Sequence, residues 1–458
     1  LSPSTADPAA LSPARATELR APAALAWGAG SLGLQALLAA LGYLSLFYLV
    51  TVWGMDPAAA GAAIFAGKVS DLFSYPSVGL VADRVRSPWG PRKPLLTLGA
   101  VLGVTAFLGL FAGDAPESDS ARFLVAALAL LALSLALATY NVPYVAMAAD
   151  LCSSPAERTR LMSYRATFYM FGTFVGGPIA THLVGSFGSG AAGFRGMAWI
   201  LGPVIAASLL LPLLAPRAAV LSVPAPPSPL ASLRNAFDNQ AFNALMVVKV
   251  LQFLGFAGTQ STLLFFITFV LHKDPGYLAW YGGSIILAAL PTIPLWRRVA
   301  DRWSRAGGFL VATYVYGLSV ASFLWADPQE SLTVFCLRAA VAGVGSAGML
   351  VCGQVMLLDT MAHDRTASGR SREGLMSALY TFTEKLAAAV GPLLVALLLS
   401  VLGFRKELPP DVPQSGGAYL AIELGLVWLT VATTLLIHVA VGRYRSATAA
   451  LRPAAVPR

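Results

Sequence analysis

Residues 67–94 read GKVSDLFSYPSVGLVADRVRSPWGPRKP. The first half belongs to an apolar run long enough to cross a bilayer, yet it carries Lys68 and Asp71; the second half is a dense basic loop. An ionisable group at membrane depth costs at least about 2.5–3.5 kcal/mol on insertion scales, so it persists where it has a partner and a task. Lys68, Asp71, Tyr75 and Gly79 are spaced by 3, 4 and 4 residues, which puts them on one face of a helix. At 1.5 Å per residue the two charges lie roughly 16–21 Å into the span, too deep to snorkel easily. Either they form an internal ion pair that holds helices together, or they form a cation or proton site.

Outward from that stretch the whole chain has the same character. Of its 458 residues 57% are hydrophobic and 12% charged, and the mean hydropathy is +0.70; a soluble domain carries about 25% charged residues. A spanning helix needs about 20 apolar residues. Twelve such runs fall near 24–50, 57–82, 95–113, 123–149, 157–184, 194–215, 239–269, 277–296, 308–326, 331–358, 374–402 and 417–442. The period-two alternation of a membrane barrel is absent. Cys152, Cys336 and Cys352 form no CxxC pair and are read as packing residues.

Charge placement gives a topology. The N-terminal tail, the even-numbered loops and the C-terminal tail hold 21 of the 31 Lys/Arg, the odd-numbered loops 5 and the spans 5. Under the positive-inside rule both termini are cytoplasmic. The net charge of +9 is then a topology signal that calls for no nucleic-acid partner. Residues 1–20 lack the apolar segment of a secretory signal and read as a cytoplasmic tail. The Pro- and Ser-rich stretch after Ala215 reads as a linker. The expected organisation is a tail (1–20), a six-helix half (21–215), a cytoplasmic linker (216–238), a second six-helix half (239–442) and a cytoplasmic tail (443–458).

The two halves repeat. VADR occurs at 81–84 and 299–302, an offset of 218 at which Pro76 also pairs with Pro294. LMS at 161–163 recurs at 375–377; at that offset Gly177-Pro178 matches Gly391-Pro392, Asp150 matches Asp364, and Arg158 matches Arg372. The expected fold is therefore an all-α integral membrane protein, twelve transmembrane helices arranged as two pseudo-symmetric six-helix halves. Such repeats place a substrate site between the halves near mid-membrane.

Gly79-Leu-Val-Ala-Asp83-Arg84 resembles the signature between helices two and three of the major facilitator superfamily. Arg84-Val-Arg86-Ser-Pro-Trp89-Gly90-Pro-Arg92-Lys-Pro94 resembles the corresponding loop of its melibiose-permease branch, the glycoside–pentoside–hexuronide:cation symporters. Asn141-Val-Pro143-Tyr144, Ala156-Glu157-Arg158-Thr159 and Tyr164-Arg165 resemble that branch's fourth and fifth helices, and Asn239-Gln-Ala-Phe242 its entry to helix seven. The sodium-dependent lysolipid carriers are similar over the same segments.

The resemblance implies roles residue by residue. Asp71 matches the first of two acids that bind the coupling cation; Tyr75 stands where the second would be, and Lys68 shares their face. Losing that carboxylate weakens a Na⁺ site at Asp71, the one candidate metal ligand, and leaves Asp71 able to exchange a proton. The sugar-binding acids become Gln35 and Asn141, joined by Tyr144, while Arg165 and Lys385 keep the family's basic positions. Arg165 could instead close a helix end against Asp150, and Lys385 could pair with Glu384, although adjacent residues on a helix point about 100° apart; Lys385 toward Asp71 is the better geometry. Gating charges are Asp83, Arg84, Glu157, Arg158, Asp301 and Arg302. Arg338 is expected to snorkel outward, and Lys249 and Glu423 carry less weight. Five intramembrane cations against three acids favour an anionic or amphipathic solute.

No HExxH, GxSxG or Walker lysine motif is present and the four histidines do not cluster in sequence, so an enzyme is not expected. The expected function is cation-coupled (H⁺ or Na⁺) secondary transport of a small polar or anionic solute, such as an acidic glycoside, a hexuronide or a lysolipid, by alternating access. The alternative is a transport-inactive scaffold for membrane assembly or delivery. No cofactor beyond the coupling ion is implied, and the partners are a small-molecule substrate and the lipid bilayer. The expected state is a monomer in a bacterial inner membrane.

Overall fold

The computed structural model describes residues 21–82, 84–151, 155–188, 190–215, 239–302, 304–368, 373–409 and 412–450. Over these the chain is helical. The helices are α1 (Ala21–Val52), α2 (Pro57–Ala82), α3 (Lys93–Phe111), α4 (Asp119–Leu151), α5 (Pro155–Phe174, continuing through a π-turn at Val175–Ile179 into Ala180–Ser186), α6 (Ala191–Leu214), α7 (Gln240–Val270), α8 (Tyr277–Arg302), α9 (Arg305–Trp325), α10 (Leu332–Ser368), α11 (Glu373–Val401) and α12 (Gly416–Thr448). Ten of them are long and apolar enough to cross a membrane on composition alone. The other two, α2 and α5, pack beside them at similar length. They fall short because they carry polar side chains: Lys68, Ser70, Asp71 and Ser74 on α2, and Arg165, Thr167, Tyr169 and Thr173 on α5.

The same five packing pairs occur in each group of six. In the first, α1 packs on α5 and α6, α4 on α2 and α3, and α3 on α6; in the second, α7 packs on α11 and α12, α10 on α8 and α9, and α9 on α12. The likeness extends to backbone detail. Both α1 and α7 end in a π-turn, Tyr48–Val52 and Phe266–Val270. After each, the Trp53 N–H donates to Tyr48 O (3.1 Å) and the Leu271 N–H to Phe266 O (3.0 Å). Met55 N–H donates to Leu49 O (2.9 Å), and Lys273 N–H to Ile267 O (3.0 Å). The next turn is made in left-handed backbone at Gly54 (φ 65°) and His272 (φ 51°). Asp56 and Asp274 then cap the following helix, accepting from Ala58 N–H (2.9 Å) and Gly276 N–H (2.8 Å). Every one of these pairs is 218 residues apart, the offset of the two VADR runs.

The two groups meet where α2 crosses α11, α5 crosses α8 and α1 crosses α7. Small residues allow the approach, as is usual where lipid supplies no hydrophobic drive between helices: Gly61 of α2 lies against Ala396 and Leu393 of α11, and Pro178 of α5 against Gly282 of α8. Aromatic edges fill the space beside them. Phe47 meets Phe265 edge-on at 5.2 Å, and Phe404 meets Phe265 (5.5 Å) and Phe269 (5.1 Å); such pairs add about 0.5–1.5 kcal/mol each beyond their burial. One continuous core thus joins the first six helices to the α7–α8 and α11–α12 end of the second six. A separate core holds the opposite end of the second six, around Phe242, Phe309 and Tyr444. The seal between the groups therefore lies at one end, and the structure is open at the end that carries the basic α2–α3 loop. There Gly79, on the face of α2 that carries Asp71 and Tyr75, has open space beside it, whereas Gly61 toward the other end meets α11.

Two sequence expectations about the ends change. The second VADR run is not a loop; Val299–Arg302 forms the last turn of α8, which runs on through Arg297 and Arg298 because these side chains are exposed and cost nothing there. Likewise α10 continues past residue 358 to Ser368.

Candidate functional site

A cavity of about 640 Å³ opens between the groups, within the 300–1,000 Å³ of small-molecule sites. Asp71 sits near the middle of α2 and is 4% exposed. Its Oδ2 accepts from Lys385 Nζ of α11 at 3.1 Å, so the pair bridges the two groups of helices. Its Oδ1 accepts from the Ser134 hydroxyl of α4 in a very short hydrogen bond. The Lys385 ammonium also lies 3.6 Å from the centre of the Tyr75 ring, which faces it one helical turn beyond Asp71. Both carboxylate oxygens are engaged, and the position facing them is filled by a tethered ammonium resting on an aromatic face. Lys68 lines the same wall on α2 and feels the field of both groups without being Asp71's ion-pair partner.

Gln35, Asn141 and Arg165 also line the cavity. The Asn141 Oδ1 is buried and accepts no hydrogen bond. A buried polar atom left unpaired costs about 1–3 kcal/mol, and here it faces the space a ligand would enter. The Arg165 guanidinium lies 5.9 Å over the Tyr144 ring. Tyr144 itself is fully buried and does not line the cavity. It stacks on Trp27 (centroids 4.6 Å apart), donates its hydroxyl to Trp27 O (2.8 Å), and accepts at its own carbonyl from Trp27 Nε1 (3.2 Å). Its place is therefore to brace Arg165 from behind, not to touch solute as expected from sequence.

The intramembrane charges separate into three kinds. Lys68, Arg165 and Lys385 line the cavity together with Asp71 and Glu384, a surplus of one positive charge. Lys249 lies behind the wall, buried among rings. Arg338 reaches outward as expected, but to an acid and not to water: its Nη2 is 2.9 Å from Glu330 Oε2, in the loop before α10, and both side chains are largely buried. Burial raises the Glu330 carboxyl above the usual range, with Arg338 opposing that effect. The surplus of two counted from sequence is therefore one at the cavity itself.

On α7, Thr259, Gln260 and Ser261 line the cavity, and Thr259 also bonds Thr430 of α12 at 3.0 Å. Sequence reasoning missed Ser134 and Glu384 as cavity residues. A serine in an Ala/Leu-rich run gives no signal of its own, and in the sequence Glu384 reads only as a partner for its neighbour. The gating positions are placed only in part. Asp83 lies outside the described residues, and so do the side chains of Arg158 and of Asp150, the alternative partner for Arg165. Glu157 is buried at the start of α5, while Arg84, Asp301 and Arg302 are exposed and make no ion pair among the described residues. Lys93 of the basic loop instead donates to Leu213 O (2.8 Å) and Ala215 O (2.9 Å), closing the carbonyl end of α6.

Among the described residues no group of three or more His, Cys, Asp or Glu converges as a metal site. Around Asp71 the protein offers its two carboxylate oxygens and the Ser134 hydroxyl. A hard metal cation takes about six oxygen ligands, and Tyr75 presents a ring face where another carboxylate would serve. The donor set does not fit a sodium ion in this arrangement; a proton on Asp71 needs none of those ligands.

A family model described as MFS/sugar transport protein matches residues 26–446. A glucuronide carrier protein homolog of Escherichia coli (strain K12) is 24% identical over 364 residues, covering 78% of this chain and 79% of its own length. The sodium-dependent lysophosphatidylcholine symporter 1 of Mus musculus is 24% identical over 412 residues, covering 80% and 75%. In fold, the chain is similar to a bacterial homolog of the human lysosomal transporter Spinster, solved inward-facing and unoccupied: TM-score 0.67, 17% identity, 95% of this chain and 100% of that one. The chain belongs to the MFS/sugar transport protein family. It is a multi-pass membrane transporter and not an enzyme.

Proposed function

We infer that this member of the family carries a small polar solute with an anionic group by alternating access, driven by a cation bound at Asp71, and that the cation is a proton. The observation that carries the reading is the Asp71–Lys385 pair, which joins the two groups of helices inside the cavity. Protonating Asp71 removes its charge and releases Lys385. The freed ammonium then faces the cavity that Arg165 also lines, and the two can pair with a carboxylate, sulfonate or phosphate; Arg binds such groups bidentately. Gln35 and the unpaired Asn141 Oδ1 meet the solute's hydroxyl or N–H donors. Substrate and proton thus compete with one internal ion pair and favour each other's binding.

The relatives support this range of solutes, one being named for glucuronide and another for lysophosphatidylcholine. A cavity of about 640 Å³ with a positive surplus suits an acidic glycoside. In this reading residues 21–215 and 239–442 are the moving halves, both termini are cytoplasmic, and the open end faces the cytoplasm of a bacterial inner membrane. The halves rock about the site as nearly rigid bodies. A transport-inactive scaffold would have no use for a buried ion pair between halves that line an aqueous cavity.

The test is a thermal-shift panel on the purified protein in detergent, followed by counterflow in proteoliposomes. A glucuronide, a sulfonated sugar, a lysophospholipid and a neutral glycoside are compared in Na⁺ and K⁺ buffers at pH 6 and 8. A ligand at 100 times its Kd adds about 2.7 kcal/mol of stability. Stabilisation by an acidic glycoside that depends on pH and is equal in Na⁺ and K⁺ is expected. Preference for the neutral glycoside would overturn the charge reading, and a Na⁺ requirement would overturn the proton.

A further inference from the structure

Lys249 of α7 is 1% exposed, and it is the one lysine among the largest fully buried side chains. Its Nζ donates to Gln252 Oε1 at 2.7 Å. Around it stand three rings, Phe309 of α9 at 5.1 Å, Tyr380 of α11 at 5.5 Å and Phe253 of α7 itself at 5.7 Å. Among the described residues no carboxylate lies within ion-pair distance of it. An ammonium has three donors and no acceptor, and here one donor is used. An isolated buried charge is otherwise rare, and a lysine so placed has a task. Packing alone does not explain it, because Met or Leu would fill the same volume without a charge.

The surroundings indicate what the task is. Phe253 and Glu384 line the cavity; Lys249 stands behind Phe253 and against Tyr380, and Glu384 follows Tyr380 by one turn on the same face of α11. Glu384 attracts Lys249 from α11 and is the neighbour in sequence of Lys385. The other titratable groups facing Lys249 are Tyr380 of α11 and Cys352 of α10. Of the remaining packed elements, α9 presents Phe309, and α12 presents Thr430 and Thr433 along α7. Asp71, Lys385, Glu384 and Lys249 therefore form a series of ionisable groups from the first six helices into the second.

We propose that Lys249 is a second proton-binding site of the carrier, exchanging its proton with the cavity through Glu384. In the exchange a proton leaves the Nζ ammonium for a water entering from the cavity, the N–H electron pair stays on nitrogen as the amine lone pair, and that water passes a proton to a Glu384 carboxylate oxygen, which returns it to the cavity. The aromatic faces hold the ammonium form, and Gln252 Oε1 accepts from either form. A proton taken up at Lys249 adds positive charge behind the anion-binding wall, so proton and anionic solute promote each other, and by linkage the effect is reciprocal. This function rests on the anionic-solute reading above; the titration itself does not.

The chain has six lysines, so ¹⁵Nζ spectra of lysine-labelled protein in detergent are simple enough to assign. The signal lost in K249M belongs to Lys249. In wild type that signal is expected to move between ammonium and amine positions within the pH range in which the fold stays intact, and E384Q is expected to shift its midpoint. A Lys249 signal that keeps one form at every pH, or a midpoint untouched by E384Q, would overturn the proposal. If K249M does not fold, K249R supplies the assignment, and E384Q tests the proposal on the native lysine. No substrate is needed, so the titration can fail while counterflow succeeds, and the reverse.

Discussion

One carboxylate and one ammonium decide how this molecule is read, and both were visible in the sequence because a charge in an apolar run stands out. What could not be read was the partner: Asp71 pairs with Lys385, 314 residues away, and not with its near neighbour Lys68. Nor could the sequence say that Tyr144 faces the core and Asn141, three residues before it, the cavity, since both turn on which face of α4 meets α1. The pair makes a prediction at its own scale. Removing one partner of a deeply buried pair costs about 3–5 kcal/mol. The Lys385 side chain is 23% exposed to the cavity, so roughly 1–3 kcal/mol is expected for D71N or K385Q alone. The double variant D71N/K385Q leaves no orphan charge and should recover part of the loss in thermal unfolding. In transport, D71N should abolish proton-driven accumulation and keep exchange. Full additivity of the two single losses would mean that the contact is not an energetic pair.

At the scale of elements, the two corners after α1 and α7 carry the clearest record of the repeat. Each needs one residue in left-handed backbone, supplied by Gly54 in one and His272 in the other. A side chain in that region costs about 1–2 kcal/mol. A methyl added at Gly54 would meet only Arg122 Nη1, at 3.7 Å, so the backbone sets the cost. G54A is therefore expected to lose about 1–2 kcal/mol, and G54N less, because Asn tolerates this conformation. Thermal unfolding in detergent gives the order wild type, G54N, G54A; an unchanged G54A would show that the corner can be rebuilt without it. These corners were legible and went unread: Asp56-Pro57 and Asp274-Pro275 repeat at the VADR offset of 218. The true end of α8 was hidden for another reason. Arginines mark a loop and the exposed last turn of a membrane helix equally well, and only the backbone distinguishes them.

For the whole molecule the question is which end closes. The halves touch where Gly61 meets Ala396 and where the Ser400 hydroxyl reaches Asp56 Oδ2 at 3.5 Å, while Gly79, farther along α2, has open space beside it. A cavity sealed at one end only is a single state of an alternating pair, since a solute entering it can cross only if the seal moves. Joining the sealed end should therefore stop transport without unfolding the protein. With native cysteines replaced, D56C/S400C places two thiols at side chains that touch in this state and must separate in the other. A short bis-maleimide is expected to cross-link them in detergent and arrest counterflow in proteoliposomes, while a ligand in the thermal-shift assay still binds from the open end. Unimpaired counterflow in fully cross-linked D56C/S400C would mean that the contact between α2 and α11 is a fixed joint, and that the moving surface lies elsewhere.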